Sequence, residues 1–333
     1  MTTYDVHAHA IVPGALSEMA AAYPEHGPSL FEEDGVTFMQ YPGRAKLGPL
    51  PEGIFNPEVR LAEMDQQRVD CQIIAIAPPN YFYHVPAEVG IAFASMQNDH
   101  LAKLSESAPD RFHMFGTLPL QDIPASLAEL DRIEGLPRLR GVQIGTNING
   151  VNLDAAELEP LWAALEARNL PVWVHGDQRM LAGADRLNNY YLQNFIGQPL
   201  ESTIAMGYLI FGGVLERYPN LRFGWVHAGG FLPYQIGRWD HGWGVRPEAV
   251  QVIADPAPSV YFKKMFFDTL SHDPLSLEFL GKRVGWDHVV LGSDYPFDMA
   301  SVDPVGAVDK IGLSAEDRHK VMQTTAESFL RPL

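Results

Sequence analysis

The sequence predicts a closed α/β barrel, eight parallel strands each followed by a helix. Three observations lead there. Short apolar runs alternate with amphipathic stretches, the pattern of βαβ units. There are eight such runs, one near each end of the 333 residues, which favours closure over an open doubly wound sheet. No G-x-G-x-x-G follows the first run, as a dinucleotide-binding sheet would require.

The predicted strands are, in order, YDVHA (4–8), CQIIAIA (71–77), FHMFGTL (112–118), RGVQIGT (140–146), PVWVH (171–175), LRFGWVH (221–227), KMFFDT (264–269) and HVVLGSD (288–294). The helical patterns between them include PEVRLAEMDQQRV, EVGIAFASMQNDHLAKLSES, PASLAELDRIE, DAAELEPLWAALEARN and DPLSLEFLGKRV. Two segments break the alternation. Residues 13–56, rich in Gly and Pro, read as an inserted flap after strand one, and residues 176–200 interrupt the fifth unit. The chain is read as one barrel domain, 1–333, with both insertions over the mouth formed by the strand ends.

Composition narrows the function. Apolar residues make up 46% and charged residues 20%, an ordinary folded protein. A net charge of −17 argues against nucleic acid or an anionic membrane as a partner, and an anionic substrate would need local arginines. The single cysteine, Cys71, rules out an internal disulfide and fits a buried strand thiol in a reducing cytoplasm. No run approaches the roughly 18 apolar residues of a membrane helix, and the N-terminus does not read as a signal peptide. The expected location is cytoplasmic.

Chemistry collects at the strand ends. His7 and His9 end strand one, where alternation would put both on one face and Val6 and Ala8 on the other. His175 ends strand five, His227 strand six and Asp294 strand eight. A barrel brings these ends to one mouth. Imidazoles with one carboxylate suit Zn²⁺ or a similar divalent ion with a position open for water, and a further histidine could shuttle a proton. Each residue alone has a bland explanation, such as a strand-face histidine or a turn-capping aspartate in GSDYP; their joint placement does not. Asp5 reads as a supporting strand residue. His26, His84, His100, His113, His241, His272, His288 and His319 are not assigned to the site, although His272 follows strand seven at the same rim.

This arrangement resembles the amidohydrolase superfamily. Strand four, RGVQIGTNI, lacks the lysine that bridges two metals in its binuclear members, which implies one metal. NPEVRLAEMDQQRVD, FGTLPLQ, RGVQIGTNING, HAGGFLPYQIGRWDHGWGVRPE, HDPLSLEFL and LGSDYPFD resemble the 2-amino-3-carboxymuconate-6-semialdehyde decarboxylase branch over nearly the whole chain. The resemblance implies Zn²⁺, with Mn²⁺ as an alternative, held by His7, His9, His175 and Asp294, and His227 as acid–base. It also implies a homodimer in which Arg246 reaches the partner's site to hold a substrate carboxylate.

Some positions depart from the branch. Met39 in GVTFMQ stands where it has a flap arginine, and Arg44 is the candidate replacement. HGDQ replaces H-P-W-D after strand five, Asn194 replaces a pocket tryptophan, and Arg179 is added. The expected function is metal-dependent, O₂-independent decarboxylation of an unsaturated or aromatic carboxylic acid in aromatic catabolism. The alternative is a hydrolase or hydratase using the same site. A sensor that kept the barrel would predict a broken constellation.

Overall fold

A computed structural model describes residues 1–333. Ten strands form: β1 (Tyr4–Ala10), β2 (Ser29–Glu33), β3 (Val36–Gln40), β4 (Cys71–Ile76), β5 (Phe112–Gly116), β6 (Leu139–Ile144), β7 (Val172–Val174), β8 (Phe223–Trp225), β9 (Phe266–Asp268) and β10 (Val289–Val290). Eight of them make one parallel sheet in the order β1-β4-β5-β6-β7-β8-β9-β10. The sheet closes where Val6 N–H donates to the Leu291 carbonyl at 2.9 Å, Asp294 N–H to His7 at 2.8 Å and His9 N–H to Tyr295 at 2.7 Å. All eight predicted runs are barrel strands, each starting and ending within a few residues of expectation.

The strands read as continuous apolar runs because both faces are buried. On β4, Cys71, Ile73 and Ala75 join an interior cluster with Val6, Phe115 and Trp173, while Ile74 and Ile76 pack outward beneath the helices. Cys71 is 1% exposed, and burial pushes its thiol up to about 12, so the strand thiol is inert at neutral pH. The C-terminus plugs the barrel. Phe329 packs at 5.6 Å from Trp173 and 5.0 Å from Phe266, and Arg331 N–H bonds to Arg140 at the start of β6. Burying one such aromatic is worth roughly 1.5–3 kcal/mol.

Helix starts follow local chemistry. Asn56 accepts from the N–H groups of Glu58 and Val59 at the head of helix Pro57–Gln67. Asp122 and Asp273 cap helices Ile123–Ile133 and Pro274–Val284 in the same way. Proline directly follows the cap at Pro57 and Pro274 and stands second at Pro124, in the first turn where its missing N–H costs nothing.

Residues 13–56 contain helix Pro13–Ala22 and the hairpin β2–β3. Its two turn residues, Asp34 (φ 54°) and Gly35 (φ 77°), both have the positive φ that a two-residue hairpin turn requires. Tyr41 docks this segment on the loop after β4, its hydroxyl 2.5 Å from Asn80 Oδ1 and 3.1 Å from the Pro79 carbonyl. No helix is long and apolar enough to cross a membrane.

Strict alternation fails on β1. Asp5 pairs with Gln72 and Ala8 with Ile74, so three residues of β1 span two of β4. Val6 lies in the interior cluster with Ile73 and Ala75, and the bulge brings His9, paired with Ala75, to that same side while Asp5 stays outside beside Gln72. The expectation that Val6 would face away from the two histidines is therefore corrected.

Candidate metal centre and its cavity

The ligand atoms of His7, His9, His175 and Asp294 all lie within 4.8 Å of one another, at the C-terminal ends of their strands, and all four residues are buried. His7 Nε2 is 3.1 Å from His9 Nε2, and the two stand 3.2 and 3.1 Å from Asp294 Oδ1. Donors about 2.0–2.2 Å from a shared ion would stand roughly 3–3.5 Å apart.

The protons point elsewhere. His7 Nδ1 pairs with Asp268 Oδ2 at 2.7 Å, and His175 Nδ1 with the Gly176 carbonyl at 2.8 Å. Each ring therefore turns an Nε2 lone pair inward, toward a carboxylate oxygen, Asp294 Oδ1, that accepts no hydrogen bond. Lone pairs and an anion this close repel one another unless a cation lies between them. Three imidazole nitrogens and a carboxylate oxygen suit a divalent metal.

The electrostatics agree. Burial, then His9 and His227, lower His175 well below the ordinary imidazole range, and burial lowers His9. Burial also opposes a charge on His7, but Asp294 and Asp268 outweigh it and raise His7 to about 10. Asp294, although buried, is held well below the usual carboxylate range by His7 and His227. The centre demands positive charge, which a proton on His7 or a bound ion supplies.

His227 stands beside the four without joining them. Its Nε2 is 3.6 Å from Asp294 Oδ2, and its ring is 5.1 Å from that of His175. Its backbone is left-handed (φ 54°), as is that of Ala228 (φ 53°). One carboxylate holds this conformation: Asp268 accepts the N–H groups of His227 (2.9 Å), Ala228 (2.7 Å) and Leu270 (3.0 Å). Asp268 was not among the expected site residues. Its signal was the one that identified Asp294, an aspartate ending an apolar strand, here KMFFDT. Asp268→Asn is expected to weaken metal binding about 10- to 100-fold. A chelator-competition titration measures this, and wild-type affinity would remove Asp268 from the centre.

His175, His227 and Asp294 line a small polar cavity of about 80 Å³ with Gln178, Asn194 and Gln198. Asn194, His227 and Met299 also border a neighbouring cavity of about 590 Å³, walled by Phe195, Phe231, Phe279 and Leu275 with His272 at its edge. The three expected arginines lie outside the polar lining. Arg179 donates to the Pro79 carbonyl and stacks 4.8 Å from the Tyr41 ring, just past the β2–β3 hairpin. Arg44 is exposed in the stretch after β3. Arg246, just past helix Leu232–Val245, is two-thirds exposed and pairs with Glu248 at 2.7 Å.

With this geometry, sequence comparison defines the class: the chain belongs to the amidohydrolase family, whose model (Amidohydrolase) matches residues 4–331. Within the family it stands on the 2-amino-3-carboxymuconate-6-semialdehyde decarboxylase-like branch. It is 34% identical to the decarboxylase of that name from Dictyostelium discoideum over 276 residues, 83% of this chain and 74% of the relative. Identity to the Caenorhabditis elegans protein of the same name is 28% over 380 residues, 98% and 93% of the two chains. The fold matches a dihydroxybenzoic acid decarboxylase from Polaromonas sp. JS666, solved with bound manganese and an inhibitor. The TM-score is 0.81 at 19% identity, over 98% of this chain and 96% of the other.

Proposed function

We propose that the protein is a metal-dependent, O₂-independent decarboxylase of an unsaturated or aromatic carboxylic acid, acting in aromatic catabolism in the cytoplasm. The observation that carries this reading is the inward convergence of three imidazole nitrogens and one carboxylate beside His227, in a chain of the decarboxylase-like branch. His7, His9, His175 and Asp294 hold the ion. Zn²⁺ suits the imidazole-rich donor set, and Mn²⁺, present in the Polaromonas neighbour, is the alternative. When bound, the ion supplies a Lewis acid for a substrate oxygen and lowers the pKa of water.

The rest falls to side chains. Breaking the bond to the carboxylate leaves its electron pair on a substrate carbon, so the substrate needs a conjugated carbonyl or ring to delocalise it. A proton must then reach that carbon. His227, which lines the cavity beside Asp294, manages it as acid–base. Asn194 contacts the substrate at the junction of the two cavities. Arg179 and Arg44 act on it through the flap that they carry or clasp.

Arg246 serves a partner's site in a homodimer. Its pairing with Glu248 is a surface contact of little energetic worth, so the guanidinium is free to grip a carboxylate in two-point fashion. Arg246→Ala is expected to raise KM strongly. Mixed with a His227→Ala chain it should regain activity, because one site of each mixed dimer then has both residues. No recovery in exchanged dimers would confine the site to one chain.

The test of the function is a panel of carboxymuconate semialdehydes, ring-cleavage ketones and ortho-hydroxybenzoates, read by product mass. Loss of CO₂ is expected. Gain of water instead would make the enzyme a hydrolase or hydratase.

A further inference from the structure

Arg60 lies on the inner face of helix Pro57–Gln67 and is 1% exposed. Its Nη1 donates to Gln72 Oε1 at 3.0 Å, its Nη2 donates to the backbone carbonyl of His9, and its Cζ lies 4.7 Å from the Tyr295 ring centroid. The charge is answered through intermediaries. Gln72 passes a hydrogen bond to Asp5 at 3.0 Å, and the Tyr295 hydroxyl donates to Glu63. Asp5 in turn accepts the Ser293 hydroxyl at 2.6 Å and N–H at 3.0 Å. Packing alone does not account for this residue, because methionine would fill similar space without desolvating a cation.

Its location supplies the reason. The barrel closes between β1 and β10 on three backbone hydrogen bonds and a single bridge, Ala8 to Tyr295, and β10 contributes only two residues to the ladder. β1 is bulged just before the seam, and Asp294 just after β10 has a left-handed backbone (φ 60°). Yet the seam separates two candidate ligands whose atoms must keep a 3.1 Å spacing, His9 and Asp294. Arg60 spans it, gripping the His9 carbonyl on one side and the face of Tyr295, next to Asp294, on the other.

We propose that Arg60 is a positioning residue of the metal centre, a planar fork that sets the separation of His9 and Asp294 across the closing seam. The proposal rests on reading His7, His9, His175 and Asp294 as metal ligands. The guanidinium is suited to the task because it offers donors in fixed directions and a flat face to an aromatic ring, which an ammonium does not.

The test measures Zn²⁺ dissociation constants by chelator competition for wild type, Arg60→Lys, Arg60→Met, Gln72→Met and His9→Ala, with Tm of the metal-free forms. Arg60→Lys and Arg60→Met are expected to bind Zn²⁺ about 10- to 100-fold more weakly while keeping a native circular dichroism spectrum. Gln72→Met, which frees one arm of the fork, should lose less in the same direction. A merely structural role would lower Tm and leave the affinity of the folded protein unchanged; that outcome in Arg60→Lys overturns the proposal. If Arg60→Met does not fold, Arg60→Lys and Gln72→Met decide. Failure of the ligand reading looks different: wild type and His9→Ala would then bind Zn²⁺ alike, whatever residue stands at position 60.

Discussion

Replacing His227 by alanine is expected to lower kcat by about 10²- to 10⁴-fold and leave metal content at the wild-type level, the range for losing a positioned acid–base. The two readouts separate because of where the ring stands. It approaches Asp294 Oδ2 at 3.6 Å, whereas His7 and His9 face the other oxygen of that carboxylate, Oδ1, at 3.2 and 3.1 Å. The left-handed backbone at His227 and Ala228 is held by Asp268 through main-chain N–H groups, which alanine retains. The substitution therefore removes the imidazole and leaves the cradle. Initial rates and metal analysis on the same preparation check it. Loss of metal together with activity would make His227 a ligand.

Removing the metal is expected to reduce turnover to background, with recovery on adding Zn²⁺ or Mn²⁺. Without an ion, the Nε2 atoms of His7 and His9 face each other at 3.1 Å beside Asp294, and a proton on His7 takes the place of the cation. A proton held on His7 neutralises the charge but offers no open position to polarise a substrate oxygen or bind a water. Stability should fall as well, since an ion bound only to the native state contributes about 4 kcal/mol at a thousandfold excess over Kd. Activity assays and thermal scans of the chelated and reconstituted protein measure both effects. Full turnover in metal-free protein would overturn the mechanism.

Most of the barrel was legible because its strands are buried on both faces. Runs such as CQIIAI and VWV carry no polar alternation that could be mistaken for a surface strand. Helix starts were legible where a capping residue preceded proline, as at Asn56 and Asp273. The four converging residues could be read because topology alone sends strand ends to one rim. Arg179 was harder. A loop arginine near a site reads as a substrate contact, whereas in the structure its guanidinium lies against Tyr41 and the Pro79 carbonyl.

The amino-acid sequence by itself determined the eight strands, their parallel order and the placing of His7, His9, His175, His227 and Asp294 at the mouth, since these depend on local periodicity and on which residue ends each run. Three things were decided only in the tertiary structure. The bulge between Asp5 and Ala8 turns His7 and His9 toward the ion site, Asp268 ties His7 to the backbone of His227, and Arg60 bridges the closing seam. Each is a contact between segments distant along the chain. Its energy exists only once the barrel has closed and water has left, so nothing in the spacing of neighbouring residues announces it.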